Sequence, residues 1–254
     1  MKLTVASSPH IRGNFRTNRI MLDVVLALLP ALAVGTWVLG LRSLLVVLVC
    51  VAASVGTELL YAVLTKSRNT VIDCSAIVTG LLLAMNLPAN IPLWIVVIGA
   101  VVAICVAKLP FGGLGKNIFN PALAARVFLL IAYPVQMTSF PAPTLEGFAD
   151  AYSGATPLGA AKGGLVDFAS FDIAGMFTGA MGGSFGEISA LALLLGFAYL
   201  LMRKVITWHI PVAVLGTMVL FGAIYGATMG GAMVWQLPLF HILAGGALLG
   251  AIFM

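Results

Sequence analysis

Cys74-Ser75-Ala76-Ile77-Val78-Thr79-Gly80-Leu81-Leu82-Leu83-Ala84-Met85-Asn86-Leu87 is an apolar segment too short to cross a bilayer. As a helix rising 1.5 Å per residue it spans roughly 20 Å, against a hydrocarbon core of about 30 Å. Pro88 and Pro92 end it. Its neighbours are long enough to cross. Upstream, one block runs from about Ile20 to Leu41, with Pro30 as an expected kink, and a second from Leu44 to Leu64. Downstream, a block from about Leu93 to Leu109 leads through Gly112-Gly113-Leu114-Gly115-Lys116-Asn117 into a second short segment, Ile118 to Tyr133. Asn120-Pro121 opens that segment, where a proline loses no hydrogen bond.

Further apolar blocks cover about Ile188–Met202, Ile206–Tyr225 and Leu239–Met254. Two long blocks followed by a short one are therefore read twice, over 20–87 and 188–254. Repeats with interrupted helices are the sequence mark of transporter-like folds built from inverted halves. The expected fold is an all-α polytopic inverted-repeat bundle. The expected division is a polar, basic segment 1–19, a first five-helix repeat 20–133, a loop region 134–183 and a partial second repeat 184–254. The last block stops without a polar tail, so the second repeat is expected to be incomplete.

Composition supports a lipid environment. Of the 254 residues, 61% are hydrophobic and 8% charged, whereas soluble domains carry about 25% charged residues. A net charge of +5 would suggest nucleic acid in a soluble protein, but no basic groove or stacking motif is present, so nucleic acid is excluded as a partner. The basic residues instead punctuate the apolar blocks. With the N-terminus in the cytoplasm, ten fall on that side: Lys2, Arg12, Arg16, Arg19, Lys66, Arg68, Lys108, Lys116, Arg203 and Lys204. Arg42 and Lys162 fall outside, and Arg126 lies within the fifth segment. This places 134–183 on the outer face. No cleavable signal is read at the N-terminus. Cys50, Cys74 and Cys105 form no CxxC or Cys/His set, so no metal site is expected.

The 134–183 interval holds four of the eight acidic residues and the run Asp150-Ala151-Tyr152-Ser153-Gly154-Ala155-Thr156-Pro157. A hydroxyl among small residues is open to covalent modification; the bland alternative is a Ser-Gly turn before proline. The glycine-rich 112–117 loop is not a phosphate loop of the Walker type, because Asn117 follows Gly115-Lys116. It reads either as a tight helix–helix turn or as backbone donors at a helix start.

Four carboxylates lie in or beside apolar blocks, where ionisable groups are costly and often mark ion routes: Asp23, Glu58, Asp73 and Glu187. Asp23 and Asp73 could equally sit at the cytoplasmic edge, Asp73 as a helix cap, and Glu187 at the outer edge. Arg126 could pair one of them. His209 and His241 are isolated and read as core residues.

Several separate motifs, in order, carry a resemblance. Asp150-x-x-Ser153-Gly154-Ala155-Thr156 resembles the recognition sequence for flavin transfer. Gly112 to Ala122, Ala132-Tyr133-Pro134, Ser7-Ser8-Pro9-His10 and the stretch Asp73 to Pro88 match the same pattern. Together they resemble the D-subunit family of the Rnf electron-transport complex, related to the B subunit of the sodium-translocating NADH:quinone reductase. The resemblance implies a urea-transporter-like pair of five-helix repeats. It implies FMN joined through its phosphate to Thr156, with Asp150, Ser153, Gly154 and Ala155 as the attachment motif. It also implies a second, non-covalent flavin (riboflavin or FMN), for which Asn120 is a candidate contact and Arg126 a candidate phosphate partner. The implied role is electron relay between ferredoxin and NAD with Na⁺ or H⁺ translocation. Such a protein sits with other Rnf subunits in a bacterial or archaeal cytoplasmic membrane. The flavin does the redox chemistry, so no catalytic acid or base is assigned. A channel or solute transporter on the same scaffold is the competing reading, as is a purely structural subunit; a channel has no need for the Asp150–Thr156 motif, and a structural subunit would retain no bound yellow chromophore.

Overall fold

The structure is a computed structural model. It describes residues 17–66, 71–141, 153–154, 158–159, 173–179, 182–229, 233–244 and 246–254. Helix α1 (Thr17–Leu39) runs through Pro30 without interruption, and Gly40 alone separates it from α2 (Leu41–Thr65). A 3-10 turn at Val71–Asp73 precedes α3 (Ser75–Met85). Helix α4 (Leu93–Val101) continues as a π-helical stretch, Val102–Lys108, and a 3-10 turn, Leu109–Phe111. Then come α5 (Pro121–Ala132) and α6 (Pro134–Thr138). After β1 (Phe140–Pro141) and β2 (Ser153–Gly154) follow α7 (Ile173–Thr178), α8 (Ala190–Met202), α9 (His209–Met229), α10 (Met233–Ala244) and α11 (Ala247–Phe253).

The chain is an all-α polytopic membrane protein. Four stretches are long and apolar enough to cross a bilayer: α1, α2, Leu93–Phe111 and His209–Thr228. The pair α10–α11, bent by 63°, makes a fifth if it counts as one span. The short α3 and α5 are of the expected kind, with 11 and 12 residues. The second trio departs from the block lengths read in the sequence. Its first member, α8, has only 13 residues, because Ser189 caps it and residues 182–188 before it are non-helical. The only β structure among the described residues is the two-residue antiparallel ladder β1–β2.

Local chemistry explains the short helices. The Ser75 N–H donates to Asp73 Oδ1 at 2.8 Å, which caps α3, and Asn86 Nδ2 donates back to Leu82 O at 2.8 Å at its other end. Asn120 Oδ1 accepts from Ala122 N–H at 3.0 Å, with Pro121 at the first helical position of α5. The non-helical segment before α8 answers the open end of α3: Gly186 N–H donates to Met85 O at 2.7 Å and Phe185 N–H to Leu87 O at 3.4 Å.

Helix α3 packs in the middle of the bundle, against α2 on one side and α5 on another, while α1 packs along α8 and α9 along α10. Leu28, Leu83, Met85, Ile95, Leu129 and Leu193 lie in one continuous core. Small residues let the backbones approach. A Cβ on Gly80 would lie 2.9 Å from Val51 Cα, and one on Gly196 would collide with the Ala27 carbonyl. Outward-facing Trp37, Leu48, Leu64, Ile131 and Trp235 leave a broad apolar exterior suited to lipid rather than water.

Candidate functional site

The four predicted carboxylates do not gather at one place. No group of three or more His, Cys, Asp or Glu residues forms a metal site among the described residues. Each carboxylate is met separately by donors.

Glu58 is the deepest. It lies on α2 and faces Lys108, the last residue of the π-helical stretch. Lys108 Nζ donates to Glu58 Oε2 at 2.7 Å and to Ser75 Oγ, on α3, at 2.6 Å. The two charged side chains are only 1% and 2% exposed, so the pair is fully inside the protein. Thr79 Oγ1 donates to Ser75 O at 2.9 Å. One turn before Glu58, Ser54 Oγ is buried and has no hydrogen-bond partner among the described residues. The charge pattern of the sequence counts Lys108 among the cytoplasmic-side residues, without foreseeing its burial. The helix runs on to Phe111, so Lys108 points into the bundle rather than flanking it.

Glu187 is buried as well, beneath the C-terminal end of α3, and its carboxylate lies 4.0 Å from Arg126 Nη2. Arg126 Nη1 donates to Asn86 Oδ1 at 2.6 Å. Arg126 thus serves the carboxylate and the end of α3 together, one of the partners anticipated for it. Asp23, on α1, accepts from Tyr199 OH at 2.9 Å and lies 3.3 Å from Arg203 at the end of α8. The hydrogen bond from Arg203 to Asp23 holds that guanidinium above its ordinary range. Asp73 is half-buried and caps α3.

Of the attachment motif, Asp150, Ala155 and Thr156 lie outside the described residues. Ser153 and Gly154 form β2, paired in register Phe140↔Gly154 and Pro141↔Ser153. The backbone just before Thr156 is therefore tied to the chain leaving α6. Asn120 is engaged on both sides, since it caps α5 and its Nδ2 donates to Met254 O at 3.4 Å. Three positions earlier, Asn117 Oδ1 is buried without a partner among the described residues.

Lys108, Ser75, Asn86 and Tyr199 were missed from sequence. One signal was available for Lys108: a glutamate inside an apolar helix needs a cation, and Leu109-Pro110-Phe111 prolongs the apolar block past the lysine.

Comparison with known proteins gives the family. The model of the NQR2, RnfD, RnfE family matches residues 4–254. The D subunit of the Na⁺-translocating ferredoxin:NAD⁺ oxidoreductase complex of Acetobacterium woodii is 47% identical, over 100% of this chain and 76% of that protein. The D subunit of the proton-translocating ferredoxin:NAD⁺ oxidoreductase complex of Clostridium ljungdahlii is 41% identical, over 99% of this chain and 77% of that protein. The D subunit of the ion-translocating oxidoreductase complex of Alcanivorax borkumensis is 37% identical, over 100% of this chain and 79% of that protein. With a family model matched along almost all of its length and relatives at this identity, the chain belongs to the NQR2, RnfD, RnfE family.

Proposed function

We propose that this chain is the D subunit of an Rnf-type redox-driven ion pump, carrying FMN on Thr156 and relaying electrons between ferredoxin and NAD as Na⁺ or H⁺ crosses the membrane. The observation that carries the reading is the similarity, along the whole of this chain, to proteins named for that reaction, together with the Asp150-x-x-Ser153-Gly154-Ala155-Thr156 motif. The other Rnf subunits are its partners in a hetero-oligomer of the bacterial or archaeal cytoplasmic membrane.

The described residues suit flavin at two places. Antiparallel pairing of Ser153–Gly154 supports a presented loop, two residues before the Thr156 hydroxyl that would form the phosphoester. Asn117 Oδ1, without a partner among the described residues, offers one for a ring N–H near Asn120, which supports a second, non-covalent flavin at this loop. Bound flavin supplies one- and two-electron chemistry; the chain's part is to hold and orient it.

Five helices, α1 to α5, precede residue 134, which fits a first five-helix repeat over 20–133 with a partial second over 184–254. The charge bias supports a cytoplasmic N-terminus and an outer Thr156 loop; without the buried Lys108 it stands at nine against two. Asp23, Glu58, Asp73 and Glu187 are the proposed carboxylates of the ion route, Glu58 and Glu187 being those within the packed bundle.

The test is ultraviolet-excited fluorescence of the denatured, SDS-separated band after expression with a flavin transferase. Wild type is expected to fluoresce and Thr156→Val to be dark. A dark wild-type band would defeat the covalent-flavin reading.

A further inference from the structure

We propose that Arg42, held by the loop at Asn90, is the dock for the phosphodiester that ties the flavin to Thr156. The inference rests on the covalent-flavin reading and deepens it by naming the side chains that hold the tethered group.

Hydrogen bonds carry Arg42 to the attachment segment in a few steps. Arg42 stands in the first turn of α2, and its Nη2 donates at 3.2 Å to Asn90 O, in the link between α3 and α4. Asn90 Nδ2 donates in turn to Ser139 Oγ at 3.3 Å. Ser139 directly precedes β1, where Phe140 pairs with Gly154 and Pro141 with Ser153. Two residues of chain reach at most about 7 Å, so the Thr156 backbone cannot lie far from Gly154. The phosphate would be bonded to the Thr156 hydroxyl oxygen itself.

The chemistry of the cluster is that of an anion dock. A phosphate esterified on two sides keeps a single negative charge, and it accepts hydrogen bonds but donates none. A planar guanidinium is rich in N–H donors and takes phosphate oxygens two at a time. Arg42 is exposed and uses a donor on a neutral carbonyl. Lys108, Arg126 and Arg203 each face a carboxylate, whereas no carboxylate pairs with Arg42 among the described residues. Its own helix adds to the positive potential, because a helix start favours anions and the first turn of α2 contains no acidic residue. On the orientation proposed above, Arg42 and Lys162 are the cations that this chain offers on the side of Thr156.

Asn90 supplies the rest. Its backbone oxygen aims the guanidinium, and its buried Oδ1 finds no donor among the described residues. The ribityl chain of FMN carries hydroxyls beside the phosphate, and these are donors of the kind Oδ1 lacks. Trp94, at the start of α4, meets Tyr133 edge to face with ring centroids 5.3 Å apart. Trp and Tyr gather at the headgroup level of a membrane. An arginine at the edge of the hydrocarbon attracts phosphate more strongly than one in bulk water. A lipid headgroup offers the same phosphate chemistry. Tethering favours the flavin, because a group joined to Thr156 is held at high effective concentration.

The test uses the full chain, co-expressed with a flavin transferase and purified in dodecyl maltoside, which contains no phosphate. Fluorescence of the denatured band counts the covalent flavin. Thr156→Val gives the background from any untethered flavin. Quenching of the remaining signal in the native protein by acrylamide, a neutral quencher, reads how firmly the tethered flavin is held. Arg42→Gln is expected to raise the quenching constant at least threefold, the mark of a lost charge-assisted contact. Arg42→Lys is expected to restore part of the hold. Asn90→Asp sets a carboxylate against the phosphate and is expected to act like Arg42→Gln; it decides the outcome if Arg42→Gln fails to take up flavin. Fluorescent bands with unchanged quenching in the variants overturn the proposal. Unchanged quenching with less co-purified phospholipid phosphorus in Arg42→Gln means that Arg42 holds a lipid phosphate, which overturns it too. A dark wild-type band defeats the covalent-flavin reading itself, whereas a fluorescent wild-type band with unmoved variants defeats this inference alone.

Discussion

Arg126 Nη1 donates to Asn86 Oδ1 at 2.6 Å and so joins α5 to the C-terminal end of α3. Asn86 spends its amide nitrogen on Leu82 O, one turn back. A single buried side chain therefore ends one short helix and receives the cation of the other, with Glu187 4.0 Å from the same guanidinium. Asn86→Leu removes both bonds and leaves Arg126 without its closest acceptor. A hydrogen bond to a charged group contributes about 1.5–3 kcal/mol. The variant is expected to lose about that much, read as a lower unfolding midpoint of the purified protein in detergent.

Lys108→Met removes the cation that lies 2.7 Å from the buried Glu58 carboxylate. Breaking a buried pair from one side costs about 3–5 kcal/mol. Pairing the change with Glu58→Gln is expected to recover most of that loss. A double-mutant cycle on thermal unfolding checks it, and additive single losses would contradict the pairing.

Gly196→Val places a side chain where α8 rests on the Ala27 carbonyl of α1. Backbone atoms cannot rearrange as a side-chain tip can. Overpacking costs about 1–3 kcal/mol or more. The expected result is weaker α1–α8 association, seen as earlier unfolding and faster proteolysis between the two helices.

Asp23→Asn keeps an oxygen for the Tyr199 hydroxyl and loses the charge facing Arg203. Arg203 is 48% exposed, and exposed pairs contribute about 0–1 kcal/mol. A small loss, screened by salt, is expected. A loss as large as that of Lys108→Met would show that Asp23 is held far from water.

Ser54→Ala removes a buried hydroxyl that has no partner among the described residues. An unsatisfied buried polar group costs about 1–3 kcal/mol. The variant is expected to be as stable as wild type or about 1 kcal/mol more so. Loss of stability would reveal a hydrogen bond to Ser54.

Environment, helical class and the short segments are all legible in linear order. They rest on local quantities: run length, charge frequency, and proline or asparagine at helix ends. Thus Pro88 stops α3, Asn120-Pro121 starts α5, and Asp73 caps α3 as one of its anticipated roles. The family too was legible, because its motifs are contiguous. Apart from the pairing foreseen for Arg126, the charge partners came from packing. Glu58 and Lys108 are 50 residues apart, and Asp23 and Arg203 are 180 apart. Whether a lysine at the end of an apolar block turns out to water or in toward a carboxylate depends on which helix packs beside it. In lipid the answer is forced, because an inward charge must find its opposite across the bundle, and linear order carries no record of that distance.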